Sequence, residues 1–150
     1  MKLTRCVVCS IVLAATVAAP AFAALGGDGT SVQADLAKLK GGLRLTSTAA
    51  FTVHEITTSD GTVVREYVSP SDKVFAVSWR GPFIPDLRQM LGSYYGQYVQ
   101  AASAPHTGHR HLAIQQPGLV MQSSGRMRAF FGRAWVPGLL PQNFSVDDIN

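Results

Sequence analysis

Three histidines within six residues, His106, His109 and His111, form the densest group of metal-binding side chains in this 150-residue sequence. Neutral imidazoles are common ligands for zinc, copper and nickel, and three at this spacing can approach one ion. Arg110 opposes a cation there and no fourth ligand stands nearby, so a solvated connection is the plainer reading. Glu55 and Glu66 suggest a second chemistry. Paired carboxylates split their pKa values and divide acid from base work, although Arg80 or Lys73 beside them would make the pair ordinary surface. His54, Arg65 and Tyr67 suggest a third, a polar pocket for a small anion. A buried guanidinium needs a partner, which Asp86 or a carboxylate of the C-terminal tail would supply as a plain structural ion pair.

Arg126, Arg128 and Arg133 interleave with Phe130, Phe131 and Trp135. That pattern suits stacking and phosphate contact, or simply an alternating strand with arginines on its wet face. Nucleophilic motifs do not stand out. Cys6 and Cys9 are the only cysteines, and there is no Gly-x-Ser-x-Gly elbow, Walker loop, dinucleotide fingerprint or His-Glu-x-x-His. No cofactor is expected.

The elements that must position these residues follow from periodicity. Phe51 to Thr58, Thr62 to Val68 and Val74 to Arg80 read as a three-stranded antiparallel meander, with a hairpin turn at Asp60-Gly61. A two-residue loop there sets His54 opposite Tyr67, Ile56 opposite Arg65 and Glu55 opposite Glu66. The simplest third-strand register then gathers Phe75, Val77, Trp79, Tyr67 and Val63 on one face, with Glu55, Glu66, Ser78 and Arg80 on the other. A helix should begin near Pro85, with Asp86 at its positive end and Leu87, Met90, Leu91, Tyr94, Tyr95 and Tyr98 along one face. Gly92 and Gly96 within it imply a close approach to the sheet or a kink. Short strands are expected at Leu112 to Gln116, Leu119 to Ser123 and Met127 to Val136, before a tail with an acidic turn at Asp147-Asp148. The expected class is α+β: an antiparallel sheet, meander plus C-terminal strands, with one main helix packed across it.

The first residues carry an address. Lys2 and Arg5 form a basic head, Cys6 to Ala19 an uncharged apolar run, and Ala21-Phe22-Ala23 a small-x-small site, the order of a secretory leader cleaved before Ala24. The apolar run is shorter than the roughly 20 residues a spanning helix needs, so no stable membrane span is expected after cleavage. Removing Lys2 and Arg5 takes the 13 lysines and arginines to 11, against 9 acidic residues, and the net charge from +4 to +2. Such a balance does not mark a nucleic-acid binder. Both cysteines leave with the leader, so the mature domain must hold together by packing. The expected layout is a leader at 1–23, a flexible lead-in with a short helix at 24–50, and one α+β domain at 51–150.

Ala24-Leu25-Gly26-Gly27, the run from Asp60 to Val68, the stretch VFAVSWRGPFIPDLRQMLGSYYGQY from Val74 to Tyr98, Gly125 to Pro137 and Ser145 to Ile149 together look familiar. They resemble a family of small exported proteins of Gram-negative bacteria known only as a domain of unknown function. The resemblance implies an exported single-domain protein and brings no catalytic or binding residue with it. The resulting expectation is a periplasmic or secreted, non-enzymatic protein that binds an envelope component or protein and not nucleic acid. Two alternatives remain: a small periplasmic hydrolase or isomerase using Glu55, Glu66, His54 or Arg65, and metal binding through His106, His109 and His111.

Overall fold

Seven strands build one antiparallel sheet in the order β1-β2-β3-β4-β7-β6-β5 in the computed structural model, which describes residues 25–29, 32, 36, 37, 39, 41–104 and 111–150. β1 (Gly42–Ser47), β2 (Thr52–Thr57), β3 (Val63–Val68) and β4 (Val74–Gly81) run as a meander. β5 (His111–Gln116), β6 (Leu119–Arg126) and β7 (Ala129–Trp135) make a second meander, which joins the first where β7 pairs with β4. The class is α+β, with a sheet larger than a three-stranded meander. β1 enlarges it from the stretch expected to be lead-in. Its Leu43-Arg44-Leu45-Thr46 alternation is a strand pattern too short to stand out alone.

The β2–β3 register differs by one residue from the two-residue-loop expectation. The loop has three residues, 59–61: Gly61 N–H donates to the Thr58 carbonyl at 3.0 Å, and Gly61 takes a left-handed φ of 85°. A tight turn closed by a left-handed glycine is the usual form of a three-residue hairpin. His54 consequently faces Glu66, Glu55 faces Arg65 and Ile56 faces Val64. One slip exchanges the faces of every side chain. A second irregularity, between Tyr67 and Val68, pairs Val68 with Val74 but Tyr67 with Ala76. This bulge turns Phe75 away from Val77 and Trp79 and toward Tyr67.

One face therefore carries Ile56, Val64, Val68, Val74, Val77, Trp79, Met121 and Ala134, packed in one cluster with Met90 and Leu91. The helical connection starts as expected. Asp86 caps it, its carboxylate accepting from the N–H groups of Arg88 and Gln89. It runs as α1 (Leu87–Leu91), a 3-10 turn at Gly92–Tyr94 and α2 (Tyr95–Ala102). Gly92, at φ 49° and ψ −120°, breaks the helix, whereas a side chain at Gly96 would meet open space. The glycines mark a kink rather than a close approach. Close approach occurs instead at Gly132, where an added Cβ would collide with the Trp79 ring. The lead-in also belongs to the body. Leu25 N–H donates to the Met90 carbonyl, Gly26 N–H donates to the Val74 carbonyl, and Val32, in helical backbone, is fully buried.

The other face is covered by the tail. Tyr67, Phe75, Trp135 and Ile149 are buried there, and Phe144 meets Phe75 and Phe51 edge-on at ring-centre distances of 4.8 and 5.1 Å. Main-chain oxygens of the tail accept from the sheet. Arg65, Tyr67 and Ser78 all donate to the Asn150 oxygen, at 2.6, 3.1 and 2.9 Å. Arg133 donates to the Val146 oxygen at 2.9 Å.

Candidate functional site

The corrected register separates the residues proposed for chemistry. Glu55 and Arg65 lie on the tail face as an ion pair 2.8 Å apart, while His54 and Glu66 lie on the helix face. Glu55 and Glu66 therefore form no carboxylate dyad. Of the trio His54, Arg65 and Tyr67, the structure brings the last two together at the tail and leaves His54 on the other side. Arg65 has its carboxylate partner, but from the neighbouring strand. Burial holds the His54 imidazole below its usual pKa, and Asp72 opposes that effect more weakly. Its Nδ1 is buried without a hydrogen-bond partner among the described residues.

His106 and His109 lie outside the described residues. Their companion His111 is the first residue of β5, and its Nδ1 is 2.7 Å from the Ser124 hydroxyl. Among the described residues, no three His, Cys, Asp or Glu side chains gather closely enough to hold a metal ion. A serine–imidazole pair is also how hydroxyl nucleophiles are activated. Among the described residues no carboxylate or carbonyl bonds the imidazole's other nitrogen, and His111 and Ser124 form a cross-strand polar pair.

That pair belongs to a larger arrangement set by sheet register. Arg80, Phe131, Ser124 and His111 are consecutive cross-strand neighbours on β4, β7, β6 and β5; Ser78, Arg133, Gln122 and Ala113 form the next row on the same face. The tail covers Ser78 and Arg133 and stops short of the outer row. The uncovered surface is a groove of about 470 Å³, bounded by Asp147, Ile149 and Asn150 on the tail side. Arg133 is fixed within it, donating from Nε to Gln122 at 2.9 Å and lying 5.6 Å from the Trp135 ring centre. Phe131 stays half exposed and gives the groove an apolar floor.

Beyond the outer row the groove widens toward the β6–β7 turn, where a second space of about 900 Å³ is lined by Arg80, Arg126, Met127, Arg128 and Phe131 among others. Among the described residues, no Asp or Glu lines it. The arginine–aromatic alternation is visible in the sequence, but what shares its face is not. Strand alternation sends Phe130 to the helix side and Phe131 to the groove. Ser78 was expected on the same face as Arg80, but Gln122 and Ser124 went unnoticed because they join that face only through β4–β7 and β6–β7 pairing.

A comparison with curated proteins finds no match, and neither does one with solved structures. Among the described residues, no helix is long and apolar enough to cross a membrane. A family model described as "Protein of unknown function (DUF2844)" matches residues 21–149, which takes in the sheet, the helical connection and nearly all of the tail. The chain belongs to that family.

Proposed function

We propose that the chain is an exported envelope protein, released from its leader before Ala24, that works by binding an anionic component in the groove between the tail and the β6–β7 turn. The observation that carries this reading is the outer row. Arg80, Ser124 and His111 supply a cation and hydrogen-bonding groups around the half-exposed ring of Phe131, at positions fixed by a continuous sheet. A guanidinium with neighbouring donors suits a carboxylate or phosphate, and the ring suits an apolar portion. The sheet stands between Glu55 and Arg65 on one side and His54 and Glu66 on the other, which disfavours a hydrolase or isomerase built from those four. Titration with inorganic phosphate and with benzoate, followed by NMR, tests the site. Resonances of Arg80, Ser124, His111 and Phe131 should move together and saturate, and Arg80→Ala should weaken the response at least tenfold, a usual loss when a charged hydrogen-bonding group is removed. Absence of shifts at millimolar anion removes the proposal. Export is checked separately by mass spectrometry of cell fractions, where a mature N-terminus at Ala24 is expected.

A further inference from the structure

The β6–β7 turn presents an unusual combination of side chains. Arg126 pairs with Ala129 at the end of the ladder, leaving Met127 and Arg128 as a two-residue tip. Met127 is 90% exposed, far more than the other exposed large apolar residues. Arg126 and Arg128 flank it, both exposed, and Arg80 and the half-exposed Phe131 follow on the groove side. Phe83 and Ile84, about half exposed, leave β4 at the same end of the sheet. Asp60, in the β2–β3 turn at that end, has its carboxylate occupied within its own turn by Thr58 and the Thr62 N–H.

Among the described residues nothing covers this methionine between its two arginines. Its chemistry fits a surface that is anionic at its boundary and apolar just beneath. We infer that this end of the sheet docks on an anionic phospholipid surface, with Arg126, Arg128 and Arg80 at the phosphates and Met127 inserted between headgroups. Charge complementarity selects this occupant: among the described residues the widened groove is lined by three arginines and no carboxylate. A single short apolar tip cannot anchor a protein alone, so attachment requires the basic side chains as well. The inference rests on the anion-binding reading and names the anion's source.

Co-sedimentation of the full mature chain with vesicles tests it, using phosphatidylglycerol–phosphatidylcholine mixtures against pure phosphatidylcholine. Binding should be confined to the anionic vesicles and should fall steeply with added salt. Each arginine near such a surface contributes about fivefold to association, so Arg126→Ala with Arg128→Gly should weaken binding roughly 25-fold. Glycine suits position 128, where the backbone is left-handed at φ 61°, and thermal melts confirm that the variants fold. Met127→Asp should abolish sedimentation while leaving the melt unchanged, because the side chain is exposed. Equal binding to both vesicle types overturns the inference, as does anionic binding unaffected by these variants. Saturable binding of inorganic phosphate without vesicle binding also overturns it and leaves the groove reading standing. Failure of both phosphate and vesicles removes both.

Discussion

On the helix face, Val64, Val77, Trp79, Met121 and Ala134 meet Met90, Leu91 and Val32 in one mainly aliphatic cluster. On the tail face, Tyr67, Phe75 and Trp135 meet Phe51, Phe144 and Ile149, and the sheet holds the covering segment by its main-chain oxygens. The helical connection contributes enough apolar side chains for packing to fix its place. The tail is narrow and irregular and buries less, so donors from Arg65, Tyr67, Ser78 and Arg133 define its position. Such a cover can stop partway across a sheet, and this one leaves the outer row open. The candidate site therefore lies on the face whose cover is held by point contacts, rather than on the face packed against the helical connection.

Mutations that act on one face and spare the other test this contrast. Trp79→Ala should have the largest effect. The side chain is 2% exposed and lies against Gly132, so its removal should cost about 3–5 kcal/mol in urea unfolding, as for other buried aromatics. A parental midpoint would mean that this side of the sheet does not carry the stability. Its indole Nε1 has no hydrogen-bond partner among the described residues, so Trp79→Phe should cost clearly less than Trp79→Ala.

Phe144→Ala should come next. The ring caps Phe51, Tyr67 and Phe75 but is only partly buried, so about 2 kcal/mol is expected, below the fully buried range. Amide exchange should quicken in 144–150 and hardly change in α1 and α2 if the two covers are independent. Uniform quickening across both would dissolve the distinction drawn between the faces. Tyr67→Phe is a finer probe of the anchoring itself. It keeps the ring and removes the hydroxyl that accepts from the Asn150 N–H at 3.0 Å and lies 3.1 Å from the Asn150 oxygen. A loss of about 1–2 kcal/mol is expected from those hydrogen bonds. No loss would assign the tail's position to its apolar residues alone.

Much of this architecture was legible in the residues. Strands β2 to β7, the place of Asp86 at the start of the helix and the burial of Trp79 follow from alternation and turn chemistry. The tail's path did not, because Phe144, Val146 and Ile149 show no regular period. The candidate site was less legible, for reasons of strand register and pairing. Asp60-Gly61 suits a two-residue turn by type, whereas Thr58 and Thr62 close a three-residue one, and that one residue decides which side chains share a face. The bulge at Phe75 adds a second exchange. Arg80, Ser124 and His111 come together through pairings between strands distant in sequence, which no local pattern announces.

The smallest expected effect at neutral pH belongs to His54, and it probes the helix face through an imidazole. His54 sits opposite Glu66 on the helix side, and burial lowers its folded-state pKa from 6.5, with Asp72 opposing. The unfolded chain then takes up a proton at this position at a higher pH than the folded chain does. Stability from keeping the ring neutral is complete above the unfolded value and is lost as pH falls from 6.5 toward the folded value. His54→Gln removes the titration while retaining a polar side chain of similar reach. Urea midpoints measured at about pH 7.5 and about pH 5.5 should diverge more for the parent than for the variant. Parallel midpoints would mean that His54 is hydrated in the folded protein. The helix face would then be open at β2, and the contrast between its two covers would narrow to the part of the sheet beyond β3.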